Sequence, residues 1–231
     1  MKSKIYLLII LLNALFLQSI VSQNSSIGAE LGFHWYNMNE LKDLNEYTLT
    51  QLPFEAKITE NFPPYFTYGA YLVFNYNSDI NIGFRYTFNS TGSRISRSDY
   101  SGEYLFDSKV KCHSPSIIVN MDIIKFGKFS ANFMSDLGIT FSTLDFTEEF
   151  NLYQVDSVST NYSTTAKSFF WEPSLLLSYP ISFIDINFRI GYQIDFVNFN
   201  PKFLKSYGIK PNWSGVNLAV SISHRLDLRK K

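Results

Sequence analysis

The stretch INIGFRYTFN, residues 80–89, decides how the rest of the chain is read. It alternates without a break: Ile80, Ile82, Phe84, Tyr86 and Phe88 fall on one side of an extended strand, and Asn81, Gly83, Arg85, Thr87 and Asn89 on the other. Successive side chains of a strand point to opposite faces, so this pattern defines two faces of opposite character. It leaves open which face is inside.

Seven further segments repeat the pattern, at 27–37, 66–76, 115–123, 129–141, 171–179, 184–196 and 215–226. In each, one face collects Phe, Tyr, Ile, Leu, Val or Trp, and the other is mostly Gly, Ser, Asn, Thr and Asp. The connections between segments alternate in length. Links near 77–79, 125–127 and 180–181 are hairpin-sized, whereas those at 38–64, 90–114, 144–170 and 197–212 are long. All short turns therefore fall at one end and all long loops at the other.

An eight-stranded barrel has an interior just wide enough to be filled by side chains, which excludes the bulky aromatic set from the inside. Turned outward, that set makes an apolar band that a bilayer requires and water does not tolerate. Segments of this length match the roughly 9–11 residues that a tilted strand needs to cross a membrane. The expectation is an all-β, eight-stranded antiparallel transmembrane up-and-down β-barrel. A soluble lipocalin-like barrel or a β-sandwich would bury the same face, but neither accounts for the alternating link lengths.

The N-terminus MKSKIYLLIILLNALFLQSIVSQ sets Lys2 and Lys4 before an apolar run and ends in small and polar residues, the layout of a secretory signal peptide over 1–22. Residues 23–231 are then one outer-membrane barrel domain. With 20 basic and 20 acidic residues, the chain gives no reason to expect nucleic acid as a partner. Cys112 is the only cysteine, so an internal disulfide is excluded and an enclosed thiol is expected.

Aromatic residues gather at both ends of the segments, as interfacial girdles do. Trp35, Trp171 and Trp213 stand for the long-loop side, and Tyr76 and Tyr179 for the short-turn side. The opening IGAELGF and the paired segments HSPSIIVNM (113–121) and WEPSLLLSY (171–179) resemble the small outer-membrane β-barrel family widespread in the Bacteroidota, often labelled PorT-like. The resemblance covers essentially the whole mature chain and implies architecture more than activity. Barrels of this kind often finish on an aromatic residue, whereas this chain continues past Leu226 as DLRKK.

The polar faces carry the candidate chemistry. Glu30, Arg85, Asp136, Glu172 and Arg189 all lie on lumen faces, most of them at a similar depth, and buried charges persist when paired and hydrogen-bonded. They are expected to form a polar network that plugs the lumen. A hairpin turn at Pro180-Ile181 would place Leu175 opposite Ile186, Pro173 opposite Phe188 and Glu172 opposite Arg189. His34, His113 and His224 are scattered, so no enzyme activity, cofactor or metal site is expected. The function expected is that of a structural or interaction protein of the bacterial outer membrane. Its partners would be the lipid bilayer and a protein at the extracellular loops, with the barrel itself a monomer. The resemblance suggests an accessory part in protein secretion as the alternative; a narrow channel or a lipid-modifying enzyme is the lesser one. Residues 90–114 and 144–170 keep a strand-like alternation, so the strands they join extend past the membrane band if that alternation is followed.

Overall fold

The computed structural model describes residues 25–153, 157–199 and 211–226, and the expected signal peptide lies outside the described residues. The elements are β1 (Ser25–Tyr36), α1 (Asn39–Gln51), β2 (Lys57–Asn61), β3 (Tyr65–Asn75), β4 (Ile80–Asp99), β5 (Gly102–Phe126), β6 (Phe129–Leu152), β7 (Ser157–Ile181), β8 (Ile184–Phe199) and β9 (Gly215–Leu226). Eight of the strands close a ring in the order β1-β3-β4-β5-β6-β7-β8-β9, with β9 returning to pair with β1. Every pairing is antiparallel. The chain is an eight-stranded transmembrane up-and-down barrel, and its closure leaves no ring strand with an unpaired edge to meet hydrocarbon.

The face assignment follows the parity of the sequence. In β4, Phe84 is 59% exposed to the outside while Arg85 is 6% exposed within. Ile117, Leu137, Ile190 and Val220 repeat the outward choice on other strands. The one polar residue on the outward face of the lower half of β6, Ser135, accepts a hydrogen bond from Trp171 Nε1 at 2.8 Å on the neighbouring strand. Its hydroxyl is thereby satisfied where no water reaches.

The short turns are local chemistry. Asn77 Oδ1 accepts from the backbone N–H groups of Asp79 (2.9 Å) and Ile80 (2.7 Å), folding the β3–β4 link. Gly127 turns β5 into β6 at φ 60°, in the left-handed region that glycine enters without penalty. The β7–β8 turn corrects the sequence reading. It sits at Ser182-Phe183, with Ser182 at φ 57°, and not at Pro180-Ile181. Leu175 therefore pairs with Ile190, Tyr179 with Ile186, and Leu176 with Arg189. Both registers keep every side chain on the same face, because they differ by an even shift.

The stretches 90–114 and 144–170 are strand and not loop. β4, β5, β6 and β7 run for 20, 25, 24 and 25 residues, against 11 and 12 for β3 and β1. About half of each long strand therefore stands beyond the membrane band as a four-stranded sheet. β2 adds to its edge, pairing Lys57 with Ser96 and Asn61 with Ser93 of β4. α1 closes the concave side. Its Leu41, together with Met38, packs among Tyr36, Val110, Leu144 and Trp213, while Asn45 donates to Asn61 Oδ1 (3.0 Å) and accepts from Ser93 Oγ (3.3 Å).

Candidate functional site

Five ionisable side chains from five strands meet across the middle of the lumen. Glu30 comes from β1, Arg85 from β4, Asp136 from β6, Glu172 from β7 and Arg189 from β8. Arg85 Nη1 donates to Asp136 Oδ2 at 2.5 Å, and its Nε lies 3.7 Å from Glu30 Oε2. Arg189 bridges the other side: its Nη2 donates to Glu30 Oε1 at 2.9 Å, and its Nη1 donates to Glu172 Oε1. Asn217 of β9 adds a donor to the same Glu172 oxygen at 3.3 Å. All five side chains are at most 7% exposed.

Two guanidinium groups thus hold three carboxylates, with Glu30 shared between them. An arginine suits this place because its planar fork can donate to two partners at once and never loses its charge. Glu172 and Arg189 do form an ion pair, although they are not cross-strand neighbours: Arg189 stands opposite Leu176 and reaches along the barrel to Glu172. Gly191 makes room for that reach, since a Cβ there would meet the Glu172 side chain.

An aromatic shelf underlies the network on the short-turn side. Tyr71 lies across the lumen, its ring 5.6 Å from the Arg85 guanidinium carbon, its hydroxyl 2.9 Å from Ser221 Oγ and accepting from Asn187 Nδ2 at 3.1 Å. Gly28 permits this pose, because any Cβ there would collide with the Tyr71 ring. Below Tyr71 a polar vestibule of about 760 Å³ opens toward the short turns. Its rim carries two ion pairs, Asp122–Lys125 at 2.7 Å and Asp185–Arg225.

The other end of the lumen changes character. Above Glu172, Phe170 is 4% exposed, and beyond it Val110, Cys112, Leu144, Ala166 and Trp213 fill the space beneath α1. Cys112 is free and enclosed, its Sγ 3.3 Å from Ser114 Oγ. The lumen is therefore closed twice, first by charge and then by an apolar core.

The expected girdle divides. Trp35 is 42% exposed on the outside, Trp171 faces outward beside Ser135, and Tyr179 packs its ring 4.8 Å from Phe129 near the short turns, where Tyr76 is also exposed. Trp213 departs from the expectation. It is fully buried inside the outer mouth, donating from Nε1 to Ser142 Oγ at 2.8 Å, with Tyr36 edge-on at 5.0 Å. The signal for this was present: the outward residues of β9 are even-numbered, which sends Trp213 inward. Tyr71, too, carries an inward parity, and only its length across the lumen was not legible.

No protein-family profile and no curated protein matches the sequence. Among solved structures, the chain is similar in fold to Neisserial surface protein A (TM-score 0.47, 10% identity, covering 87% of this chain and 97% of that one). It is also similar to Ail, the attachment invasion locus protein of Yersinia pestis, solved with the heparin analogue sucrose octasulfate (TM-score 0.40, 11% identity, 88% and 99%). A third is the outer membrane protein AlkL (TM-score 0.35, 8% identity, 90% and 92%).

Proposed function

We propose that the protein is an integral outer-membrane barrel that does not conduct and that acts as a structural or interaction protein, presenting its extended β4–β7 sheet to a protein partner outside the cell. The outward apolar belt on a closed ring supports the membrane setting, since only a closed barrel or a helix satisfies its backbone in lipid. The observation that carries the function is the double closure of the lumen. A pore would need a continuous wet path, and here the charged plug is followed by a dry core under α1.

The extramembrane sheet supplies the interaction surface. β2 is one edge of it, with a ladder on β4 and, among the described residues, no strand on its other side, and edge strands recruit further strands. An accessory role in secretion, as the sequence resemblance implies, would use the same edge. The reading includes no catalytic activity: His34 is enclosed in the lumen, His113 faces outward and His224 stands near the short turns, so the three histidines do not share one site among the described residues.

Planar bilayer recording tests the closure. The intact barrel should give no stable current, and neither should a form with the turn at Tyr100-Ser101 shortened. A steady ohmic current through single inserted barrels would overturn the reading.

A further inference from the structure

Basic side chains gather on one outward wall, just past the aromatic row. Lys109 and Lys111 of β5 and Lys167 of β7 are exposed and point away from the lumen, their neighbours Val110, Cys112, Ala166 and Ser168 being buried within. Between them runs β6, whose outward residues there are Phe141, Thr143 and Asp145. The ladder sets His113, Phe141 and Lys167 in one row, Lys111, Thr143 and Thr165 in the next, and Lys109, Asp145 and Ser163 in a third.

Their height is readable from the turns. Lys111 precedes Gly127 by 16 residues and Lys167 precedes Ser182 by 15, whereas about 9–11 residues cross the hydrocarbon. These lysines therefore stand at headgroup depth. Lys167 lays its chain along the aromatic row, with Nζ 5.3 Å from the Phe141 ring centroid, as a side chain does when it reaches from an apolar surface to a polar one.

The wall is short of anions. Asp145 is the one carboxylate among the three lysines; it lies 3.6 Å from Lys111 Nζ and already accepts from Ser163 Oγ at 2.7 Å. One row farther out, Asp107 is fully engaged by both donors of Arg94, at 2.6 and 2.7 Å. His113 closes the lower edge, its Nδ1 2.5 Å from Tyr86 Oη. On the opposite wall, the described outward residues at this height include Trp35, Phe66, Phe196 and Val216, without a lysine or arginine. Among the described outward residues at this height, the lysines fall on β5 and β7.

We propose that this wall binds the phosphorylated headgroup of an outer-leaflet glycolipid, with its acyl chains on the apolar belt below. The inference rests on the reading of the barrel as membrane-embedded. Strands lie roughly 4.8 Å apart and Lys111 stands one row farther out than Lys167, so the two stand diagonally across β6 at about 12 Å between their backbones, a span that flexible lysine chains and one or two phosphates fill. Ammonium groups supply the charge, the hydroxyl of Thr143 on β6 lies between the two strands, and Thr165 stands one row out from Lys167 on the outward face of β7. Two features favour a lipid over a protein or a soluble polyanion. The patch adjoins the membrane-facing surface, and it begins at the row where that surface ends.

The full chain reconstituted in phosphatidylcholine nanodiscs doped with diphosphorylated lipid A, or with its dephosphorylated counterpart, tests this by native mass spectrometry. The phosphorylated lipid should be retained by the native barrel, and retention should fall by about tenfold or more in K109Q/K111Q/K167Q. It should not change in K42Q/K57Q, which removes two lysines from α1 and β2. Equal retention of both lipids, equal loss in the two variants, or preferential capture of a soluble sulfated oligosaccharide would each overturn the proposal. Heat-modifiable gel mobility in undoped phosphatidylcholine reads insertion separately. A chain that fails there contradicts the membrane reading itself.

Discussion

The lower and upper halves of β5 and β6 are built from the same alternation with the polarity reversed. In the lower half, Ser116, Asn120, Asn132 and Asp136 point inward while Ile117, Met121, Phe133 and Leu137 point out. In the upper half, Val110, Leu144 and Phe146 are inside, and Lys109, Lys111, Asp145 and Thr147 are outside. The swap falls at the row of His113 and Phe141. The register carries through unchanged, although Ser114 and Pro115, directly below that row, have no ladder partner on β6. What changes is the solvent: below the swap the outside is hydrocarbon, and above it the outside is water, so the apolar residues move to whichever side is dry.

The two dry regions are closed by different physics. In the mid-barrel the outside is lipid and the interior holds charges that only each other and a few hydrogen bonds satisfy. Above, the interior is an ordinary core with a helix on top. Removing one partner from the lower network should therefore cost most. Arg189→Met strands Glu172 and leaves Glu30 to Arg85 alone, and should lose about 3–5 kcal/mol in urea unfolding from lipid vesicles. Adding Glu30→Gln and Glu172→Gln should recover much of that loss. A triple variant as unstable as the single one would mean that the charges are not what Arg189 stabilises.

Leu144→Ala probes the upper core. Deletion of a fully buried leucine should cost about 2–5 kcal/mol, but the loss should be local. Limited proteolysis is expected to open the extended sheet while the heat-modifiable mobility of the lower barrel persists. Loss of both together would show that the halves fold as one unit.

The outer surface sharpens the comparison. Leu175→Arg, beside Ile190 on the outward face, should impair insertion by about 2–4 kcal/mol near the midplane. Thr143→Arg, also outward but above the swap, should have little effect in the same vesicle-folding assay. Similar losses at both positions would place Thr143 in lipid and move the boundary. The smallest effect is expected at the exposed pair on the upper sheet, where Asp107→Asn leaves Arg94 half exposed to water and should cost about 1 kcal/mol or less in urea unfolding.

The polarity swap also explains what could be read from the sequence. The eight segments, their faces, the clustering of the five lumen charges and the end on which the short turns lie all follow from period-two alternation with the greasy side out. That rule fails where the greasy side goes in. Residues 90–114 and 144–170 still alternate, which is why an extension past the membrane band was legible, but Val110, Cys112, Leu144 and Phe146 appear on what had been the polar face, so the length of the strands and the dry core between them were not. The seating of Trp213 was missed for a related reason: a tryptophan near a strand end suggests a girdle, and only the parity of β9 says otherwise. The β7–β8 register was beyond alternation altogether. Both candidate turns preserve every face, and the deciding feature, a serine at positive φ, has no compositional mark of the kind that Gly127 provides.

An accessibility scan along β5 tests the reversal most directly. Single spin labels at residues 105–123, in a Cys112→Ala background and in lipid vesicles, are read for collision with oxygen, which concentrates in hydrocarbon, and with a water-soluble nickel chelate. Labels at Ile117, Val119 and Met121 should favour oxygen, those at Lys109 and Lys111 should favour nickel, and Val110 should be shielded from both. Oxygen preference continuing through Lys111 and Lys109, or nickel reaching Val110 as freely as Lys111, would contradict the account.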